Sequence, residues 1–317
     1  MTIKSVLCWK EEAIEGTSTI VAVGTATALF GVYPQDDEEV EVPTRKNPVK
    51  AYHNYSSRVP NLVYGNHEIP TLTVKFIPVN CLGYYHFYGT ATDLAVSTIA
   101  VNETAVKPFI TIHHQEDMTV NHIRQLVGAK AVSIAGTIEM NKDERLEVMY
   151  AGKNIEDVGD GAPMLTTTPV LPESIIAPYT GKPQVTWDVG VGDVALTECW
   201  KVMYSQSQAI TINHNGGVKI VNCHQFEPVK LTLVGILKTE TQWNALVDEE
   251  TIDITVRSYK ADRTKYKDLE FTNCKIEEII KLGKIWEDAY LTTIILKCEK
   301  MPLSFIDEMG ANFANWY

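Results

Sequence analysis

Apolar and polar residues alternate with a period of two along most of the chain. In Thr71–Ile77, Leu72, Val74 and Phe76 fall on one face. Phe109–His113, Ile252–Arg257 and Tyr290–Glu299 repeat the pattern, and Val229–Leu237 is apolar on nearly every position. Side chains alternate across a strand, so each stretch offers one apolar face to a core. Val, Ile, Thr and Tyr prevail in them, as pleated sheets prefer. Helical signals are few. Thr239–Asp248 has a capping Thr followed by Trp243 and Leu246. Asp117–Leu126 would point Met118, Ile123 and Leu126 inward. Met301–Tyr317 spaces Phe305, Ile306, Met309, Phe313 and Trp316 for an amphipathic helix. Lys275–Trp286 fits a helix by spacing, but its neighbourhood favours a bent strand leading to Gly283.

Two segments leave the pattern. Residues 34–70 open on Asp36-Asp37-Glu38-Glu39 and carry Tyr52, Tyr55 and Tyr64. A structureless loop of that length is rare in a compact domain, so an arm or hairpin is expected. Residues 161–182 hold four prolines, Pro163, Pro169, Pro172 and Pro178, and read as a stiff linker. The expected organisation is therefore a first module over 1–160 that includes the arm 34–70, the linker 161–182, and a second module over 183–317 with a C-terminal extension. The halves match in order: Ile110–His114 with Ile210–His214, Lys130–Gly136 with Val229–Gly235, and Leu146–Tyr150 with Ile254–Tyr259. A duplicated module repeats a surface, and repeated surfaces build rings and fibres.

Composition narrows the class. The chain has 317 residues, 45% of them hydrophobic, and a net charge of −12. It can bury a sizeable core, and its charge disfavours a general nucleic-acid-binding surface, which needs Lys and Arg to displace phosphate counterions. The N-terminus lacks the apolar core of a signal peptide, and no apolar run is long enough to cross a bilayer. A cytoplasmic origin is expected, with no membrane partner and with reduced cysteines at Cys8, Cys81, Cys199, Cys223, Cys274 and Cys298.

Catalytic motifs are missing. There is no Gly-x-Ser-x-Gly, and Gly181-Lys182 is followed by Pro183, which spoils a phosphate loop. His113, His114, Glu116 and His122 cluster in sequence, but neighbours on a strand face opposite ways. Cys199, His214, Cys223 and His224 lack the close Cys pair of a zinc site. Glu11-Glu12, Glu249-Glu250 and Glu277-Glu278 read as solvated pairs. The run Tyr84, Tyr85, Phe87 and Tyr88 reads as core on one face and interface on the other. No enzyme activity, cofactor or metal is expected. A carbohydrate-binding, adhesin-like β-sandwich is the alternative, with the aromatic run as its platform.

The order of pieces resembles the tail tube proteins of tailed bacterial and archaeal viruses, in their duplicated-module form. The likeness rests on Trp9–Gly16, Ile69–Asn80, Leu126–Lys130, Gln208–Asn213, Pro228–Leu237, Thr251–Tyr259, Phe271–Ile276 and Tyr290–Cys298. It implies a mainly β fold of two tandem sandwich or barrel modules with short flanking helices and a long N-terminal arm. It also implies rings stacked into a tube in the virion tail, joined to other tail proteins, through which viral DNA passes without specific binding. Two modules per chain imply a trimeric ring with pseudo-sixfold symmetry; one decorated module implies a hexamer. Asp37, Tyr52, Tyr55, Tyr64, Phe313, Trp316 and Tyr317 are the expected inter-subunit residues.

Overall fold

The computed structural model describes residues 6–20, 27, 29–31, 49–52, 61–64, 69–79, 81–89, 91–93, 98–99, 108–115, 123–158, 179–188, 193–196, 199–215, 218–237, 251–260, 266–286 and 289–306. The protein is mainly β, and every strand pairing among these residues is antiparallel.

The first half contributes β1 (Val6–Glu11), β2 (Val49–Tyr52), β3 (Asn61–Tyr64), β4 (Thr71–Phe76), α1 (Leu82–Tyr88), β5 (Ala91–Asp93), β6 (Thr98–Ile99), β7 (Ile110–Gln115), β8 (Ile123–Glu139), β9 (Arg145–Ala151) and β10 (Asn154–Asp157). The second contributes β11 (Tyr179–Asp188), β12 (Asp193–Leu196), β13 (Cys199–Asn215), β14 (Val218–Phe226), β15 (Val229–Leu237), β16 (Ile252–Lys260), β17 (Tyr266–Trp286), β18 (Ala289–Cys298) and β19 (Leu303–Ile306).

Two layers face each other. The larger runs β4-β9-β8-β13-β15-β18-β17, so its centre is the β8–β13 pairing between the two halves of the chain. The smaller runs β12-β11-β16-β17-β19-β6-β5. Apolar residues of both layers fall in one buried cluster, including Leu72, Val74, Val202, Leu231, Leu296, Val256, Leu269 and Phe271. This is a β-sandwich-like arrangement, with alternate positions of each strand turned inward.

β17 belongs to both layers. Its first part pairs with β16 and β19, and its second part, from Lys275, pairs with β18. The corner is Asn273, whose φ of 51° is the left-handed conformation that asparagine tolerates better than most residues. Its N–H donates to Asp253 Oδ1 at 2.7 Å. Beside it, Cys274 and Cys298 form a disulfide across the β17–β18 ladder. The expectation of six reduced cysteines fails at this pair, because the register Lys275↔Lys297 sets the two cysteines opposite each other. Cys8, Cys81, Cys199 and Cys223 form no disulfide among the described residues.

Several sequence expectations change. The aromatic run is not a strand but the helix α1, with every residue buried. Its hydroxyls find partners inside, so tertiary packing overrides the β preference of Tyr and Phe. Ile123–Leu126 opens β8 rather than closing a helix, with β7 and β10 on either side of it. Leu303–Ile306 is strand β19, held between β17 and β6, so an amphipathic helix does not start at Met301. Lys275–Trp286 is the bent strand that its neighbourhood favoured, with three register shifts. Within the arm, β2 and β3 form a hairpin outside the main sheet. β11 begins at Tyr179, inside the Pro-rich segment. The Trp243 helix lies outside the described residues. Two of the three matched segment pairs occupy different surroundings: Ile110–His114 pairs with β1 and β8 but Ile210–His214 with β14, and β9 pairs with β8 and β4 but β16 with β11 and β17.

No helix among the described residues is long and apolar enough to cross a membrane.

Candidate functional site

The candidate site is the outer face of the larger sheet. Its inner face is packed on α1 and the smaller sheet, and its outer positions are half-buried or exposed along every strand. Cross-strand pairing fixes the rows on this face. Lys75, Glu147, Ala135, Ser205, Lys230, Lys297 and Lys275 form one continuous row over all seven strands. The next holds Arg145, Thr137, Met203, Thr232, Ile295 and Glu278. A third holds Glu139, Lys201, Val234, Thr293 and Ile280. Ala135, Thr137, Ser205 and Thr232 make much of the middle small and hydroxylated, with Met203 among them and Lys201 and Lys230 at its ends.

Charge on this face departs from that of the whole chain. The cations are Lys75, Arg145, Lys201, Lys230, Lys275 and Lys297; the anions in the same area are Glu139, Glu147, Glu227, Glu277 and Glu278. The described face is nearly balanced, with a small cationic excess, in a chain of net charge −12. Lys201 meets Glu139 at 3.7 Å and Lys297 meets Glu277 at 2.6 Å. Lys230 lies directly opposite Lys297, and Lys297 opposite Lys275, an arrangement that like charges disfavour. A shallow groove of about 470 Å³ runs beside them, lined by Ser133, Ser205, Ser207, Glu227, Lys230 and Lys297 among others.

Beneath the sheet the core is unusually polar. Tyr84 from α1, Tyr204 from β13, Glu144 from the turn before β9 and Lys267 from β17 meet in one cluster. Lys267 Nζ lies 2.5 Å from Glu144 Oε1, and both side chains are fully shielded. Burial, and next the negative charge of Glu144, push both tyrosine hydroxyls well above their ordinary pKa. Nearby, the Tyr88 hydroxyl donates to Gln206 Oε1 at 2.7 Å. Sequence offered one signal for this cluster: Lys267 shares its strand face with Leu269 and Phe271, a core position in the alternation.

A second polar cluster closes the end near β1. Glu12 accepts from the N–H groups of Gly16 and Gly128 at 2.7 and 2.8 Å, and from Thr111 Oγ1 at 2.7 Å. Gly128 has a φ of 63° there and Gly16 one of 78°. Glu12 is thus an internal staple and not the solvated carboxylate expected of Glu11-Glu12. Glu11 is half-buried, and burial lifts its pKa to about 7.

The histidines stay inside. His113 and His114 are both buried, and His113 bonds to Gln125 and Gln115 through its two ring nitrogens. Cys199 and His214 lie at opposite ends of β13, about 50 Å apart along an extended strand, so they cannot share a metal. Among the described residues no three His, Cys, Asp or Glu side chains converge as metal ligands.

Of the expected inter-subunit residues, Tyr52 and Tyr64 sit at opposite ends of the β2–β3 ladder, paired with Asn61 and Val49. Asp37, Tyr55, Phe313, Trp316 and Tyr317 lie outside the described residues, as do Glu116, His122, Glu249 and Glu250. The buried helix α1 gives no aromatic platform for a sugar.

Fold and face together define an antiparallel, β-sandwich-like protein with one broad sheet surface that no described element covers. No family model matches the sequence, and no curated protein matches it.

Proposed function

We propose that the chain is a structural subunit of the tail tube of a tailed virus, assembled as stacked rings that conduct DNA. The observation that carries this reading is the seven-stranded antiparallel sheet with one face packed and the other uncovered among the described residues. Such a sheet supplies a smooth wall, and its two terminal strands, β4 and the second part of β17, each have one strand partner in it among the described residues. Strands of that kind join copies edge to edge, which monomeric proteins avoid. The resemblance of the sequence to tail tube proteins supports the same reading.

The work of the molecule is then mechanical. Ala135, Thr137, Ser205 and Thr232 hold a hydrated patch near the middle of the face, beside Met203. The wall is close to charge balance. A balanced wall gives passing phosphates neither strong attraction nor strong repulsion, so DNA is not retained. Two modules per chain give three subunits per ring with pseudo-sixfold symmetry; one module gives six. The arm and the C-terminal segment, with Asp37, Tyr52, Tyr55, Tyr64, Phe313, Trp316 and Tyr317, are assigned to contacts between subunits and with other tail proteins.

Negative-stain electron microscopy over a protein concentration series tests this. Rings or hollow tubes are expected, with a threefold end-on view for the duplicated form and a sixfold one for the single-module form. Discrete monomers at every concentration would overturn the reading.

A further inference from the structure

The Lys267–Glu144 contact has the features of a pair set up to react. Nζ is 2.5 Å from Oε1, and neither side chain reaches solvent. The same oxygen accepts from the Tyr84 hydroxyl at 3.0 Å and the Tyr204 hydroxyl at 3.2 Å. The other carboxyl oxygen, Oε2, is buried with no hydrogen-bond partner. Aromatic rings close the site: Nζ stands 5.0 Å from the centre of the Tyr84 ring, and Tyr204 lies edge-on to Phe271.

A fully shielded ion pair is costly to keep, and its cost is repaid only when every remaining acceptor is satisfied. Here one is not. Moving a proton from the ammonium to the carboxylate relieves both charges and leaves a neutral amine against a carboxylic acid. Holding two such groups together in a dry site replaces a bimolecular encounter by an intramolecular one, with a very large effective concentration.

We propose that Lys267 and Glu144 condense into an intramolecular isopeptide bond. Nζ attacks Cδ of Glu144, forming the Nζ–Cδ bond. The tetrahedral oxyanion is held by the hydroxyls already aimed at Oε1, Tyr84 and Tyr204. The Cδ–Oε2 bond breaks. Both protons that the ammonium sheds end on Oε2, which leaves as water, Oε1 becomes the amide oxygen, and Nζ keeps one hydrogen as an amide N–H. No oxidant, metal or other reactant enters the balance. The product joins positions separated by 123 residues and ties the smaller sheet to the turn at the margin of the larger one. It stands independently of the tube reading.

Intact mass spectrometry of the folded, purified protein tests it, after denaturation and reduction of the Cys274–Cys298 disulfide. The wild type is expected to be lighter than its sequence by one water, and proteolysis to release a branched peptide linking Lys267 to Glu144. Glu144→Ala and Lys267→Met are expected at full sequence mass. Tyr204→Phe is expected to lower the linked fraction at a given time after synthesis. A wild-type chain at full sequence mass after prolonged incubation in the folded state overturns the proposal, whether or not the variants fold. So does a branched peptide that joins Lys267 to a different residue.

Discussion

Gly136→Val is expected to destabilise the protein by about 3 kcal/mol or more. Gly136 lies opposite Tyr204 across the β8–β13 ladder, and a Cβ there would overlap the tyrosine ring. The ring cannot swing aside without loss, because its hydroxyl is tied to Tyr84 and Glu144 in the shielded cluster. Overpacking and the loss of buried hydrogen bonds therefore act together. Chemical denaturation would measure the loss as a fall in midpoint. A double-mutant cycle identifies its cause: Tyr204→Leu is expected to cost less in a Gly136→Ala background than in the wild type. Simple additivity would show that the glycine matters for another reason.

Acid is expected to destabilise the fold through two buried histidines. Burial lowers the pKa of His86 to about 3, and burial, with the neighbouring His114, lowers that of His113 to about 4. Both are neutral in the folded state where the unfolded chain, near 6.5, takes up protons. Their contribution is complete above the unfolded pKa and is lost as pH falls toward the folded values. At 1.36 kcal/mol per unit, the two together cost on the order of 5 kcal/mol by about pH 4. Glu11 works in the opposite sense. Its raised pKa of about 7 makes its contribution largest below its unfolded value, and this is lost as pH rises through 7. The acid loss is thus partly masked in the upper part of the window and steepens below it. Melting temperature against pH would show this profile. His86→Phe is expected to flatten the acid limb while losing the 2.9 Å bond to Tyr150 at neutral pH. An unchanged acid limb would remove His86 from the account.

The strands were legible because each pays its alternation into a shared core: Leu72, Val74 and Phe76 in β4, and Ile252, Ile254 and Val256 in β16, are all buried. What the sequence concealed came from pairings distant along the chain. Tyr84–Tyr88 has strand-forming residues, yet partners such as Glu144 and Gln206, supplied from elsewhere, make a buried helix the better place for its hydroxyls. Leu303–Ile306 has helical spacing, but a ladder on either side decides for strand. The open face could not be read at all. Its rows exist only once β8 and β13 are paired, and no local pattern announces that register. The same holds for Cys274 and Cys298, ordinary apolar positions until the ladder sets them opposite.

In the proposed tube this face lines the bore. A cryo-electron-microscopy reconstruction of assembled protein is expected to show rings whose inner wall is the β4-β9-β8-β13-β15-β18-β17 sheet, with Ser133, Ser205 and Thr232 turned toward the lumen. An assembly that buries this face between rings or turns it outward would contradict this, as would a chain that stays monomeric at every concentration.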